Sequence, residues 1–231
     1  GCSPTSAPHF REISELIVVE DGGGEARQLW RAAAASSKGH TRVVESNNLH
    51  EIRAYRRGFE LAKGTFLVML QDDDIPPPLD FNWLAPALRL FELHPGLGLV
   101  SCTDGFTSPE LFGEHYGRAL PIVTMDERLP DVPFMFVVGA NSAPVVYRAA
   151  AYRQVKGLDT AYSRAGEPGI GFETEISLRL WGEGWQSGIM NCGNFQRGVG
   201  GHATLQSEGK RELRKAVWAQ NQQRMNATFP L

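Results

Sequence analysis

Apolar residues along this chain fall into short, nearly unbroken runs separated by stretches of helical period. Leu16-Ile17-Val18-Val19 and Phe66-Leu67-Val68-Met69-Leu70 are continuous runs that read as buried strands, the second of them buried on both faces as in parallel sheets. Leu97 to Cys102 reads as a strand, and Val132 to Val138 is apolar. Arg42-Val43-Val44-Glu45, Pro144 to Tyr147 and Trp185 to Met190 read as further strands. Between them, Glu25 to Ala35 is alanine-rich and helical. A second helix, capped by Asn47 or Asn48, runs to about Lys63 with Ile52, Tyr55, Phe59 and Ala62 on one face. Leu79 to His94, Ala149 to Val155, Phe172 to Glu183 (Ile176 and Leu180 inward) and Ser207 to Met225 complete the helices. The opening order of strand, helix, strand, helix, strand predicts an α/β fold with a mostly parallel central sheet flanked by helices.

The run from Phe66 carries the clearest chemistry. Asp72, Asp73 and Asp74 follow it directly, and then three prolines, which forbid an immediate helix or ladder. The carboxylates therefore sit on a stiff turn at the carboxyl end of what reads as the central strand, where open α/β sheets bind ligands. Three adjacent acids repel one another unless something positive lies among them. Mg²⁺ or Mn²⁺ fits, since both take carboxylate oxygens and leave positions for substrate phosphates. An acidic turn that merely closes a strand is common, and only the placement favours a site.

Composition narrows the picture. The 231 residues suit a single domain with a real core, at 42% hydrophobic and 21% charged. We divide it into a loop-like segment 1–14, a nucleotide- and metal-binding half at about 15–102 and an acceptor half at about 103–231. A net charge of -3 gives no bulk attraction to nucleic acid, and no such partner is expected. No run approaches membrane-spanning length. Gly1-Cys2-Ser3-Pro4-Thr5 would match a myristoylation pattern after loss of a Met, a short pattern given little weight. The compartment and oligomeric state stay open. Cys2, Cys102 and Cys192, odd in number and widely spaced, argue against a disulfide framework and give no metal spacing.

Other candidates lie on loops and helix starts. Asp21 ends the first strand before Gly22-Gly23-Gly24, where a carboxylate can accept from a ribose hydroxyl or base N–H. Glu173 and Glu175 open a helix, which the dipole favours in any case, and either could be a general base. His202, in a glycine-rich loop, would become a plausible metal ligand beside Mn²⁺.

Taken in order, several segments carry a resemblance. They are Glu15-Leu16-Ile17-Val18-Val19-Glu20-Asp21-Gly22, then Asn48, Gly58-Phe59-Glu60-Leu61-Ala62-Lys63-Gly64 and Asp72-Asp73-Asp74. Gly157-Leu158-Asp159 and Gly171 to Arg179 follow. The whole resembles family 2 glycosyltransferases with the GT-A (Rossmann-like) fold. The resemblance implies transfer of a sugar from a nucleotide-sugar donor (a UDP- or GDP-sugar) to the hydroxyl of a glycan or other acceptor, with Mn²⁺ or Mg²⁺. It places Asp72 to Asp74 as the DxD-type motif, with Asp74, Asp72 and His202 on the metal. Asp21, Asn48, Asp72, Asp73 and Arg56 are expected at the nucleotide sugar. Glu173 is expected as the base of an inverting reaction. In family patterns a strand, a Pro-x-Tyr-like turn and a helix precede the Glu15–Asp21 segment. Only residues 3–14 stand before it here, so an incomplete, partner-completed or rebuilt nucleotide pocket is expected. The alternatives are a catalytically inactive GT-A-like binding domain and a nucleotidyltransferase; the latter would show a basic residue after the first glycine turn, which Gly22-Gly23-Gly24-Glu25 lacks.

Overall fold

The computed structural model describes residues 15–75, 82–102, 104–107, 116–117, 120–123, 126–142, 144–192, 196–197 and 208–229. In chain order its strands are β1 (Leu16–Glu20), β2 (Thr41–Glu45), β3 (Phe66–Met69), β4 (Asp74–Ile75), β5 (Leu97–Ser101), β6 (Gly105–Phe106), β7 (Phe134–Val137), β8 (Gly139–Ala140), β9 (Val145–Arg148), β10 (Gln186–Met190) and β11 (Gln196–Arg197). The helices are α1 (Glu25–Ser36), α2 (Glu51–Leu61), α3 (Leu84–Leu93), α4 (Ala149–Gln154), α5 (Phe172–Gly182) and α6 (Glu208–Thr228).

The α/β class read from the sequence is observed, and its main sheet is mixed. Five strands lie in the order β3-β9-β5-β10-β7. Only β5 and β10 pair in parallel; β9 runs antiparallel between β3 and β5, and β7 closes the far side antiparallel to β10. A separate parallel pair joins β1 to β2. The apolar run at Phe66–Met69 thus ends the five-strand order, with β9 beside it. Its burial alternates, and Leu70 is 47% exposed, so it is not buried on both faces as its composition suggested. The strand wholly buried along its length is β5.

Helices cover both faces of this sheet. On one side α3 presents Leu84, Ala87, Leu90 and Phe91 to Val100, Phe134, Val146 and Met190. On the other, Ile52 and Phe59 of α2 and Ile176 and Leu180 of α5 pack with Leu67, Leu99, Tyr147 and Tyr152. The period-3.6 spacing of those apolar residues turns one face of each helix inward. The cysteine reading is corrected here. Cys102 and Cys192 follow the adjacent parallel strands β5 and β10, and they form a disulfide with Cα atoms 5.2 Å apart. Spacing along the chain gave no sign of it, because the pairing is made by the sheet across 90 positions.

Candidate active site

The site is assembled at the carboxyl ends of β1 and β3 and the amino ends of α2 and α5. After β1, the Asp21 carboxylate braces the next loop. It accepts from Ser46 Oγ at 2.7 Å and from the backbone N–H groups of Leu49 and His50 at 2.8 and 2.7 Å. Both carboxylate oxygens are thus engaged within the protein. The Asp21 carbonyl also takes the Asn48 N–H at 3.2 Å. Asn48 is exposed, with a left-handed φ of 55° that asparagine tolerates better than most residues. Its amide lies against Gly166, where a Cβ would come within 2.7 Å of Nδ2.

The cap of α2 is His50, rather than Asn47 or Asn48. Its Nδ1 accepts from the Glu51 N–H at 3.0 Å. Asp21 draws the loop N–H groups toward β1, so the chain turns into the helix one step later, at φ 62° and ψ -175°. That region is essentially reserved for glycine and costs about 1–3 kcal/mol. Burial holds the His50 imidazole below its usual pKa; Asp21 opposes the shift and Lys210 adds to it.

After β3 the chain folds back on itself. Gln71 N–H donates to Asp74 Oδ2 at 2.7 Å, and Asp74 N–H to the Gln71 carbonyl at 3.2 Å. Asp72 is exposed and Asp73 and Asp74 are half-buried. The turn is tied to α2 by Gln71 Nε2, which donates to Tyr55 Oη at 2.8 Å. Tyr55 and Glu51 are one helical turn apart on α2. Burial raises the Glu51 carboxyl above the usual range, Arg214 and the Gly169 N–H work against that, and the charges of Asp73 and Asp72 push it further up. Burial likewise raises the Tyr55 phenol, with Glu51, Glu173 and Asp72 acting in the same direction. The charges of Asp72 and Asp73 are thus felt at Glu51, and those of Asp72 and Glu173 at Tyr55.

The two acids of α5 part company. Glu175 is 3% exposed and grips Arg179 through both oxygens, while Arg179 also donates to the Val155 carbonyl. Burial raises the Glu175 carboxyl, against the pull of Arg179. Glu173 is half-buried and acts on Tyr55. The helix begins at Gly171, whose φ of 84° suits glycine; a Cβ there would meet the Trp218 ring at 3.3 Å. Trp218 belongs to α6, which is held against the protein by a buried stripe of Val217, Asn221 and Met225. Asn221 Nδ2 donates to the carbonyls of Tyr162 and Ile170 at 2.8 and 2.9 Å. That anchoring brings Arg214 to bear on Glu51 and Lys210 on His50.

Two expected residues lie elsewhere. Arg56 donates to Glu60 at 2.9 Å and to the Leu158 carbonyl at 2.8 Å, on the side of α2 that faces Gly157. His202 lies outside the described residues. Glu51, Gln71, Lys210 and Arg214 were not singled out from the sequence. Glu51 and Tyr55 share a helix face by their i, i+4 spacing, which was the one available signal. Among the described residues no three His, Cys, Asp or Glu side chains converge as a closed metal cage. The donor set still fits a hard divalent ion, because Mg²⁺ is usually held by one or two carboxylates and completes its shell with substrate phosphate and water.

With this geometry in hand, the sequence relationship is plain. Residues 9–153 match the family described as Glycosyl transferase family 2. The chain belongs to that family. No curated protein matches it. Among solved structures it resembles GalNAc-T7 with UDP, GalNAc and Mn²⁺, at 15% identity and a TM-score of 0.59, over 79% of this chain and 37% of that one. It also resembles S. aureus TarS 1-349 in complex with UDP-GlcNAc, at 14% identity and a TM-score of 0.52, over 88% of this chain and 56% of that one. The chain thus spans less than two thirds of either protein, and the likeness is one of fold, the GT-A fold.

Proposed function

We propose that this domain transfers a sugar from a nucleoside-diphosphate sugar to an acceptor hydroxyl with inversion, using Glu173 as general base. The observation that carries the reading is the family match over residues 9–153; it is joined by a half-buried Glu173 in the first turn of α5, while Glu175 is closed on Arg179. The family match and two GT-A neighbours holding UDP or UDP-GlcNAc support the donor class and favour uridine over guanosine.

Asp72 and Asp74 would hold the divalent ion, which supplies neutralising charge to the leaving diphosphate. Asp73 lies beside them for the donor ribose. Glu173 stands in the first turn of α5, where the helix dipole favours its charged form. Its carboxylate takes the proton of the acceptor hydroxyl as that oxygen attacks the anomeric carbon from the face opposite the diphosphate. Glu175 cannot share this task while it is closed on Arg179. Asp21 and Asn48 shape the loop beneath the nucleotide.

The test combines melting and turnover. With Mn²⁺ and UDP at about 100 times Kd, bound nucleotide adds about 2.7 kcal/mol, and the melting temperature rises by about 5–10 °C for a chain of this size. GDP gives a smaller rise, and Asp74→Ala removes the response. Glu173→Gln keeps the response while sugar transfer, including hydrolysis of the donor, falls about 10²–10⁴-fold. Absence of any nucleotide response, or full turnover in Glu173→Gln, would overturn the reading.

A further inference from the structure

We propose that a cleft between α2 and α4 is a second, anion-binding site that accepts a phosphate group, separate from the acid cluster. The cleft has a volume of about 280 Å³, and its wall carries Arg56, Arg153 and Lys156 against one carboxylate, Glu60. Phe59 and Tyr152 form its floor, 4.9 Å apart edge to face and both largely buried. Gly157 closes the end: with φ 71° and a Cβ that would fall 2.9 Å from the Tyr152 ring, it has no room for a side chain.

The cations are held in place and not consumed. Arg56 spends Nε on Glu60 and Nη1 on the Leu158 carbonyl. Arg153 spends Nη2 on the Ala62 carbonyl at 3.3 Å. Each guanidinium has five N–H donors in a planar fork, so both keep donors for an oxyanion. Lys156 is exposed, has no ion-pair partner among the described residues, and is held at a left-handed φ of 62° beside the positive φ of Gly157. The carboxyl ends of α2 and α4 also lie here, and their partial negative charge explains part of the basic character. Two helix ends amount to about one elementary charge. Set against these ends and Glu60, the three cations leave about one positive charge in excess. The volume lies at the small end of ligand sites. It suits one phosphate, free or on a single sugar, and not a nucleotide.

The assay is a titration of isotope-labelled protein with inorganic phosphate, followed by its backbone amide resonances, without metal or nucleotide. Phosphate should shift Arg153, Lys156 and Gly157 together in a saturable way. A double variant, Arg153→Gln with Lys156→Gln, should bind at least tenfold more weakly while its other resonances stay in place. Glu60→Gln, which removes the lone acid, should bind more tightly. A sugar phosphate that binds tenfold better than inorganic phosphate, with the unphosphorylated sugar inert, identifies a phosphosugar; equal binding identifies free phosphate. Shifts that never saturate, that map to other residues, or that persist unchanged in the double variant would overturn the site, and they would mean that the ion is adventitious.

Discussion

Two parts of the molecule use similar sequence to different ends. β1 reads Leu-Ile-Val-Val-Glu and β5 reads Leu-Gly-Leu-Val-Ser, both nearly continuous apolar runs. β5 is buried at every position, between helices on two faces and strands on two sides. In β1 only Glu20 is buried, and α1 beside it has no buried residue, with Leu29 64% exposed. The five-stranded region is held by packing. The β1–α1–β2 unit has little buried apolar surface and adds charged ties to its strand ladder: Glu20 accepts from Arg27 at 2.7 Å and from Gly23 N–H at 2.8 Å, and Glu45 pairs with Arg31. Depth in the fold comes from what covers a strand, and a strand's own residues do not record it.

The contrast can be broken most forcefully in the core. Leu99→Ala removes a side chain with no exposure and should cost about 2–5 kcal/mol. Val18→Ala, in the half-buried β1, should cost about 1 kcal/mol. Denaturant midpoints of the two variants measure the difference, and similar losses would show that the two regions are equally packed.

Next in size is the brace at Asp21. Asp21→Ala frees a hydroxyl and two backbone N–H groups, and should cost about 2–3 kcal/mol on the scale of bonds to charged acceptors. Hydrogen exchange in residues 46–50 should rise while β5 stays protected. Uniform protection would deny that the loop depends on this carboxylate.

The charged unit should also respond to acid before the core does. The Gly23 N–H, and then Arg27, hold the Glu20 carboxyl below its ordinary pKa. A lowered folded pKa means that its stabilisation is present above the unfolded value of about 4.3 and is lost as pH falls through the folded one. Glu20→Gln should flatten that acid limb. An unchanged limb would assign the sensitivity elsewhere.

The smallest expected effect is at His50. His50→Gly relieves about 1–3 kcal/mol of backbone strain and gives up the cap and about 0.5–1 kcal/mol of glycine chain entropy. The net is a stabilisation of about 1 kcal/mol, read as a small rise in melting temperature; a fall would mean that the imidazole cap outweighs the strain.

These contrasts also mark what the sequence could tell. The acid turn, the strand before it and the helix carrying Glu173 are local patterns, and local patterns survive in one dimension. The α/β class followed from their order. Strand directions did not: Val145–Arg148 enters the sheet antiparallel between two strands that precede it in the chain, and no feature of Val-Val-Tyr-Arg announces that. That Glu175 is closed on Arg179 showed only in space, although the i, i+4 spacing of the two was available. Arg56 follows Tyr55 by one position, about 100° around α2, and so turns toward Leu158 and Gly157. Lys210 and Arg214 were illegible as site residues, since only the docking of α6 brings their charges to α2.

That docking gives the final helix an angular setting. Asn221 grips two carbonyls, and Arg214 and Lys210 precede it by seven and eleven positions, close to two and three full turns. All three therefore lie along one line of the helix, and Asn221 fixes its rotation. Removing one residue between Asn221 and Arg214 would swing both cations about 100° away from Glu51 and His50. The helix works as a keyed shaft, with its key at Asn221 and its charged teeth two and three turns away.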